Sequence, residues 1–177
     1  MTSTNHEIIP KARKASQSPK LQQQVVDLGK AKVAVTATEA GFVTLKRQME
    51  KASKKKKHLA GLPSKELYTA KNADAHELYQ LSVQSPEEDV SFLRRVYKSL
   101  RKKKAMHFRE DFCGTALLST TWVSKFEGAT AEGYDIDPSP LAWGLVHNLK
   151  GAGDLADNVS LVMGDVREKS TVPPDVR

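Results

Sequence analysis

A chain of 177 residues with 39% hydrophobic content is sized for one ordinary globular domain with a polar extension. Its net charge of +7 is uneven: residues 1–60 hold 13 Lys/Arg against 4 Asp/Glu, or +9, which leaves 15 against 17, or −2, for residues 61–177. The basic excess therefore sits in the first third, the remainder lacks the positive face expected of a nucleic-acid-binding domain, the lone Cys113 excludes an internal disulfide or a multi-cysteine zinc site, and no apolar run is long enough to span a bilayer.

Residues 1 to about 24 mix Ser, Thr, Gln, Lys and Pro without periodicity, so disorder is expected there. The first twenty lack the apolar core of a secretory signal, and their Ser, Thr and basic content leaves organelle targeting open. The chain otherwise reads as soluble and intracellular, cytoplasmic or nuclear. Scattered valines make residues 25–60 ambiguous, with a helix expected from about Phe42 to His58. Its lysine-rich end, Lys54 to Lys57, complements the negative helix pole and reads as solvated lysine, with nuclear import or phosphate binding as the alternatives. Residues 1–60 are thus expected to be a basic tail, largely disordered or partly helical, and residues 61–104 a helical lead-in.

Within the lead-in, "DAHELYQL" pairs an N-cap, Asp74, with Glu77 three residues on. "SPEEDVSFLRRVYKSLRKKK" carries the full set of helix signals: Ser85 as N-cap, Pro86 at the first helical position, acids in the first turn and lysines at the end. Val90, Leu93, Val96, Tyr97 and Leu100 fall at helical spacing, which predicts one apolar face packed on a sheet. From Ala105 the pattern alternates: strand 106–112, helix 115–126, strand 130–135, helix 140–149, strand 159–163. Short links between these elements imply a parallel sheet, so residues 105–177 read as a partial α/β domain, Rossmann-like, of about three strands.

Ligands on such sheets bind beyond the carboxyl ends of the strands, here "EDFCGTA", "DIDP" and "GDV". Gly114 lets a ligand approach the backbone, and the helix starting near Thr115 presents unpaired N–H groups. Asp135 is placed to accept hydrogen bonds from a ribose diol, and Asp165 with the Val166 N–H to read an adenine edge. The turn has neither the G-x-G-x-x-G of a dinucleotide site nor the G-K-[ST] of a Walker loop. A ligand with a carboxylate in place of phosphates needs less clearance, and a sulfonium tolerates acidic neighbours such as Glu110 and Asp111; S-adenosylmethionine has both features.

"REDFCGTALLSTTWV", "EGYDIDPSPLAWG" and "VSLVMGDVRE", in this order, resemble the first three motifs of class I S-adenosylmethionine-dependent methyltransferases, in a branch whose first motif has the form R-E-D-F-C-G-T-A. The resemblance covers roughly residues 77–177. Against the family's D-x-G-x-G-x-G, Glu110 falls at the acidic position, Gly114 keeps the middle glycine, and Phe112 and Ala116 replace the outer two. The resemblance implies S-adenosylmethionine as cofactor, with Glu110, Phe112 and Gly114 at the turn, Asp135 on the ribose, Ile136 beside the adenine, and Asp165 with Val166 reading its edge. Asp137 reads instead as the cap of the helix near Pro140.

Plainer readings stand beside these. Phe112 and Trp143 also read as core aromatics, His147 as a surface or packing residue, and "VPPD", Val172 to Asp175, as a loop. Cys113 has no basic partner nearby to make it a nucleophile. By the resemblance a complete domain has about seven strands, so the chain is expected to be the cofactor-binding half, truncated and without a residue assigned to catalysis or to the methyl acceptor. Its first parallel strand would then be an edge open to self-association. The alternatives are a non-catalytic interaction module whose basic tail docks on nucleic acid or an acidic partner, and a truncated product that folds poorly.

Overall fold

The computed structural model describes residues 19–59, 73–170 and 172–177, with residues 55–59 described by their backbone alone. The disorder and targeting expected over residues 1–18, the side chains of Lys55 to Lys57, and positions 61–72 of the lead-in lie outside the described residues.

The assignment of residues 1–60 to a tail is corrected from residue 22 onward. β1 (Gln22–Asp27) and β2 (Lys32–Ala37) form an antiparallel hairpin, and α1 (Glu39–Leu59) follows with Thr38 Oγ1 accepting from Gly41 N–H at 3.0 Å. β2 hydrogen-bonds in parallel to β5 (Val159–Met163), in the register Ala34↔Ser160, and Lys32 N–H donates to Asp157 Oδ1 at 2.7 Å. The physical reason is burial on alternate positions: Val33, Val35 and Ala37 point into the core, whereas β1 is exposed along most of its length. The helix expected from Phe42 is therefore α1, begun three residues earlier.

α2 (Ala75–Val83) is capped by the Asp74 carboxylate, which accepts from His76 N–H at 2.9 Å and Glu77 N–H at 3.3 Å. α3 (Pro86–Arg101) starts where Ser85 and Pro86 predict, with the Ser85 carbonyl taking the first helical hydrogen bonds. Its packing differs from the expected single apolar face on the sheet. Val90 is buried and Leu93 and Tyr97 join the core, but Val96 and Leu100 are exposed, and the helix lies chiefly on α4 (Leu117–Lys125). α4 itself covers the sheet, so α3 forms an outer layer and needs only part of its apolar circumference. The Arg94 guanidinium sits over the Phe126 ring, 3.9 Å from the centroid.

β3 (His107–Asp111), α4, β4 (Thr130–Asp135), α5 (Pro138–Gly144) and β5 then alternate as expected. α5 continues through a π-helical turn, Leu145–Leu149, and the short segments Lys150–Ala152 and Gly153–Asn158 lead into β5. The sheet has five strands in the order β1-β2-β5-β4-β3, parallel except for β1, in place of the three expected. α1 packs along α5. Trp122 fills the space between α4 and β3, its ring 5.2 Å from Phe108 and 4.9 Å edge-on to Phe126.

β3 ends the sheet on the side opposite β1, yet its outer edge is not bare. Asp175 N–H donates to His107 O and Arg109 N–H to Val176 O, both at 2.9 Å, with Val176 bridging Phe108 in parallel. Asp175 anchors this segment by accepting from Tyr97 Oη at 2.6 Å and from the backbone N–H groups of Met106 and His107 at 2.8 and 3.1 Å. "VPPD" is a loop as read, but its last residue ties α3 to β3.

Candidate functional site

Alternation along β3 sends Phe108 and Glu110 toward α4, and Arg109 and Asp111 to the opposite face of the sheet. Glu110 is only 8% exposed, and its Oε2 accepts from both Ser119 N–H at 2.9 Å and Ser119 Oγ–H at 2.6 Å. Burial pushes its carboxyl up to about 7; the Ser119 bonds oppose this, and the negative charge of Asp135 adds to it.

Beyond β3 the backbone takes an uncommon course. Phe112, Gly114 and Ala116 have φ of 56°, 53° and 53°. These are the three positions at which the family pattern carries glycines, so the turn keeps a glycine-type path although two of its residues have side chains. Each non-glycine residue there costs on the order of 1–2 kcal/mol, a strain that persists where the surroundings over-determine it. Phe112 is not the core aromatic expected: it is 76% exposed. Phe112→Gly is accordingly expected to raise stability by up to about 1 kcal/mol in urea denaturation, since it relieves φ and removes no packing. A loss of stability would show that the Phe112 ring contributes contacts to the fold.

The turn is held at one residue from three directions. Thr115 O accepts from Asn148 Nδ2 at 2.9 Å, Thr115 Oγ1 accepts from Gln80 Nε2, and Gly144 of α5 comes so near that a Cβ there would stand 2.2 Å from Thr115 O. Asn148 lies in the π-helical turn, which is the local widening that lets α5 meet the turn twice. Sequence reasoning missed Gln80, Asn148 and Gly144. Only the glycine inside an otherwise helical run was a visible signal.

Asp135, at the tip of β4, joins this turn directly. Its Oδ2 accepts from Gly114 N–H at 2.8 Å and its Oδ1 from Asp137 N–H at 2.9 Å, and its carbonyl accepts from Gly164 N–H, just past β5, at 3.0 Å. The structure thus brings Gly114, Asp135 and the residues after Gly164 to one end of the sheet. Asp137 caps α5, accepting from Ser139 N–H at 2.8 Å, as read from the sequence. Ile136 follows Asp135 and is 75% exposed. Asp165 accepts from Arg167 N–H at 2.9 Å and pairs with its guanidinium; that side chain first, then the backbone bond, holds the Asp165 carboxyl down at about 2. Val166 is half-buried, with its carbonyl turned toward Arg109.

A cleft of about 290 Å³ lies beside the turn, lined by His76, Tyr79 and Gln84 on one side and by Glu110, Phe112 and Gly114 on the other. Asp135, Ile136, Asp165 and Val166 are outside its lining. The predicted residues therefore form a row along three strand tips, and only the β3 group faces the cleft. Cys113 also borders the cleft, but burial first, and the charges of Glu110 and Asp135 next, push its thiol well up, which disfavours the thiolate form. His147 stacks on the buried Trp143 with ring centroids 4.2 Å apart, a packing role for both.

No protein-family model matches the chain, and neither does any curated protein. Among solved structures it is similar to S-adenosylmethionine-bound CalS10, an amino pentose methyltransferase from Micromonospora echinaspora involved in calicheamicin biosynthesis. The TM-score is 0.44 and the identity 24%, over 59% of this chain and 41% of that one. It is also similar to the plantazolicin methyltransferase BpumL, in complex with a monoazolic desmethylPZN analog and S-adenosylhomocysteine. There the TM-score is 0.43 and the identity 11%, over 75% of this chain and 46% of that one. The chain thus spans less than half the length of either protein.

Proposed function

We propose that the chain is the S-adenosylmethionine-binding half of a class I methyltransferase. The observation that carries the reading is the Gly114 N–H to Asp135 carboxylate bond at 2.8 Å, made from a turn with left-handed backbone at residues 112, 114 and 116. It couples the first and second motifs of the family pattern in one contact.

The residues fit such a cofactor in two respects. Each Asp135 oxygen accepts one N–H, which leaves a further lone-pair direction on both for the two hydroxyls of a ribose. The electrostatics discriminate as well: Glu110 and Asp135 are close enough to interact, so the turn disfavours a pyrophosphate and favours a cationic sulfonium and ammonium. In this reading Gly114 leaves room for the amino-acid end, Asp135 holds the ribose, Phe112 and Ile136 offer exposed apolar flanks to the base, and Asp165 with Val166 reads its edge. When bound, the sulfonium supplies an electrophilic methyl group. Every residue assigned here binds or orients the cofactor, and none is assigned to the acceptor.

Titration calorimetry with S-adenosylhomocysteine tests the reading. Asp135→Ala removes two hydrogen bonds to a charged acceptor and is expected to weaken binding roughly 10- to 100-fold. NAD⁺ should give no heat with either protein. The reading is lost if the unsubstituted protein does not bind, or if both proteins bind alike.

A further inference from the structure

On the opposite face of the sheet from the cleft, Arg109 is buried at 2% exposure with four hydrogen bonds. Its Nε donates to Asp111 Oδ1 at 2.7 Å, Nη1 to Glu168 O and Ser170 Oγ at 2.8 Å each, and Nη2 to Val166 O at 2.5 Å. The guanidinium carbon also sits over the Tyr134 ring, 3.7 Å from its centroid. The carboxylate partner of Arg109, Asp111, is shared with Arg177. Three of the four bonds go to residues 166–170, the segment that follows the β5 tip.

The Val166 bond has a consequence beyond the loop's path. Val166 O and Arg167 N–H belong to the same peptide unit, which is planar and trans, so the two groups point in opposite directions and turn together. The carbonyl is fixed by Arg109, and by Arg177 Nη2 at 3.2 Å; the N–H on the other side donates to Asp165 Oδ1 at 2.9 Å. A guanidinium buried on one face is thereby linked, through one rigid plane, to the direction of a carboxylate at the ligand-facing end of the sheet. The exposed side chain of Arg167 also holds Asp165, its Nε donating to both carboxylate oxygens at 2.9 Å and its Nη2 to Oδ2, so the carboxylate meets a base only when that side chain turns away, whereas the backbone bond stays in place.

We propose that Arg109 is a positioning residue for base recognition: by pinning the Val166–Arg167 peptide it aims the Asp165 carboxylate at the exocyclic amino group of an adenine. The proposal rests on the reading of the site given above and adds to it the residue that sets its selectivity. A lysine in place of Arg109 would keep the charge and much of the volume. It would lack the planar fork that reaches Val166, Glu168 and Ser170 at once.

The test compares S-adenosylhomocysteine with S-inosylhomocysteine, in which the amino donor is replaced by a carbonyl, on the full chain. The unsubstituted protein should prefer the adenine compound by about tenfold or more, and Arg109→Lys should lose that preference while binding the inosine compound unchanged. A general loosening of the fold would weaken both ligands together. Amide exchange at Arg167 is read in parallel without ligand and should accelerate at least about tenfold in the variant. If Arg109→Lys does not fold, Ser170→Ala, which deletes one of the loop anchors, should shift both readouts in the same direction by a smaller factor. Retained preference with retained Arg167 protection in a folded variant overturns the proposal. Failure of the unsubstituted protein to bind either ligand overturns the site reading itself, and the exchange result then reports separately on whether Arg109 holds the peptide.

Discussion

Gly144→Ala is expected to destabilise the protein by about 3 kcal/mol and to abolish ligand binding at the β3–α4 turn. Gly144 has φ of −59° and lies at the end of α5. On helix propensity alone, alanine there would stabilise by roughly 1 kcal/mol. Tertiary structure reverses the sign. The added Cβ would stand 2.2 Å from Thr115 O, 2.7 Å from Thr115 C and 3.0 Å from its Cα, and all three are backbone atoms with no rotamer to yield. Either α5 withdraws or the turn moves, and in both cases the Asn148 bond to Thr115 O is stretched. Overpacking costs typically 1–3 kcal/mol, and a backbone collision belongs at the upper end of that range. Gly151→Ala serves as the control, because a Cβ there meets nothing within 4 Å. It should be neutral or mildly stabilising. Urea midpoints for the two variants decide the matter: equal shifts would mean that α5 is not seated against the turn.

The second large effect is one of charge. Glu110→Gln is expected to stabilise the protein by roughly 3 kcal/mol at pH 8 and by little at pH 4. Burial raises the Glu110 carboxyl from its ordinary 4.5 to about 7, against the opposing Ser119 bonds and with help from Asp135. A carboxyl raised in the folded state binds more protons there than in the unfolded chain over the interval between those two values. Stability from this group is therefore present below about 4.5, falls as pH rises toward about 7, and stays low above it. Glutamine keeps an oxygen to accept from Ser119 N–H and Oγ–H and carries no charge to desolvate, so the variant's stability should be flat across that interval where the unsubstituted protein's declines. Chemical denaturation at several pH values between 4 and 8 measures both slopes; parallel curves would show that Glu110 is not titrating in the fold. In the proposed function the same substitution is expected to weaken binding of a cationic ligand.

Both expectations arise from contacts that local sequence does not display. The helix signals were legible: Asp74 and Asp137 cap the helices they precede through their carboxylates, and Ser85–Pro86 marks the start of α3 although the Ser85 side chain makes no capping bond, because a helix start is settled within about four residues. The alternation from His107 to Met163 was legible for the same reason, since short links between elements of opposite period admit few arrangements. The hairpin of β1 and β2 was not. Gln22–Asp27 has no buried face to generate a pattern, and the alternation of Val33, Val35 and Ala37 is too short to outweigh the lysines around it. Its place in the sheet comes from pairing with a strand some 125 residues away, as the Lys32–Asp157 bond records.

At the site the division falls between residue type and residue state. Spacing was enough to mark Gly114, Asp135 and Asp165 at the ends of three strands, since short links between alternating elements dictate which positions reach that end, and Glu110, assigned through the resemblance, lies within β3. That Phe112 is exposed and left-handed, that Glu110 is held with a raised pKa, and that Thr115 and Arg109 are the hubs of the turn and the loop depended on packing alone. Conformation at a strained φ, desolvation of a carboxylate and saturation of a guanidinium are set by atoms distant in the chain, and no local pattern encodes where those atoms arrive.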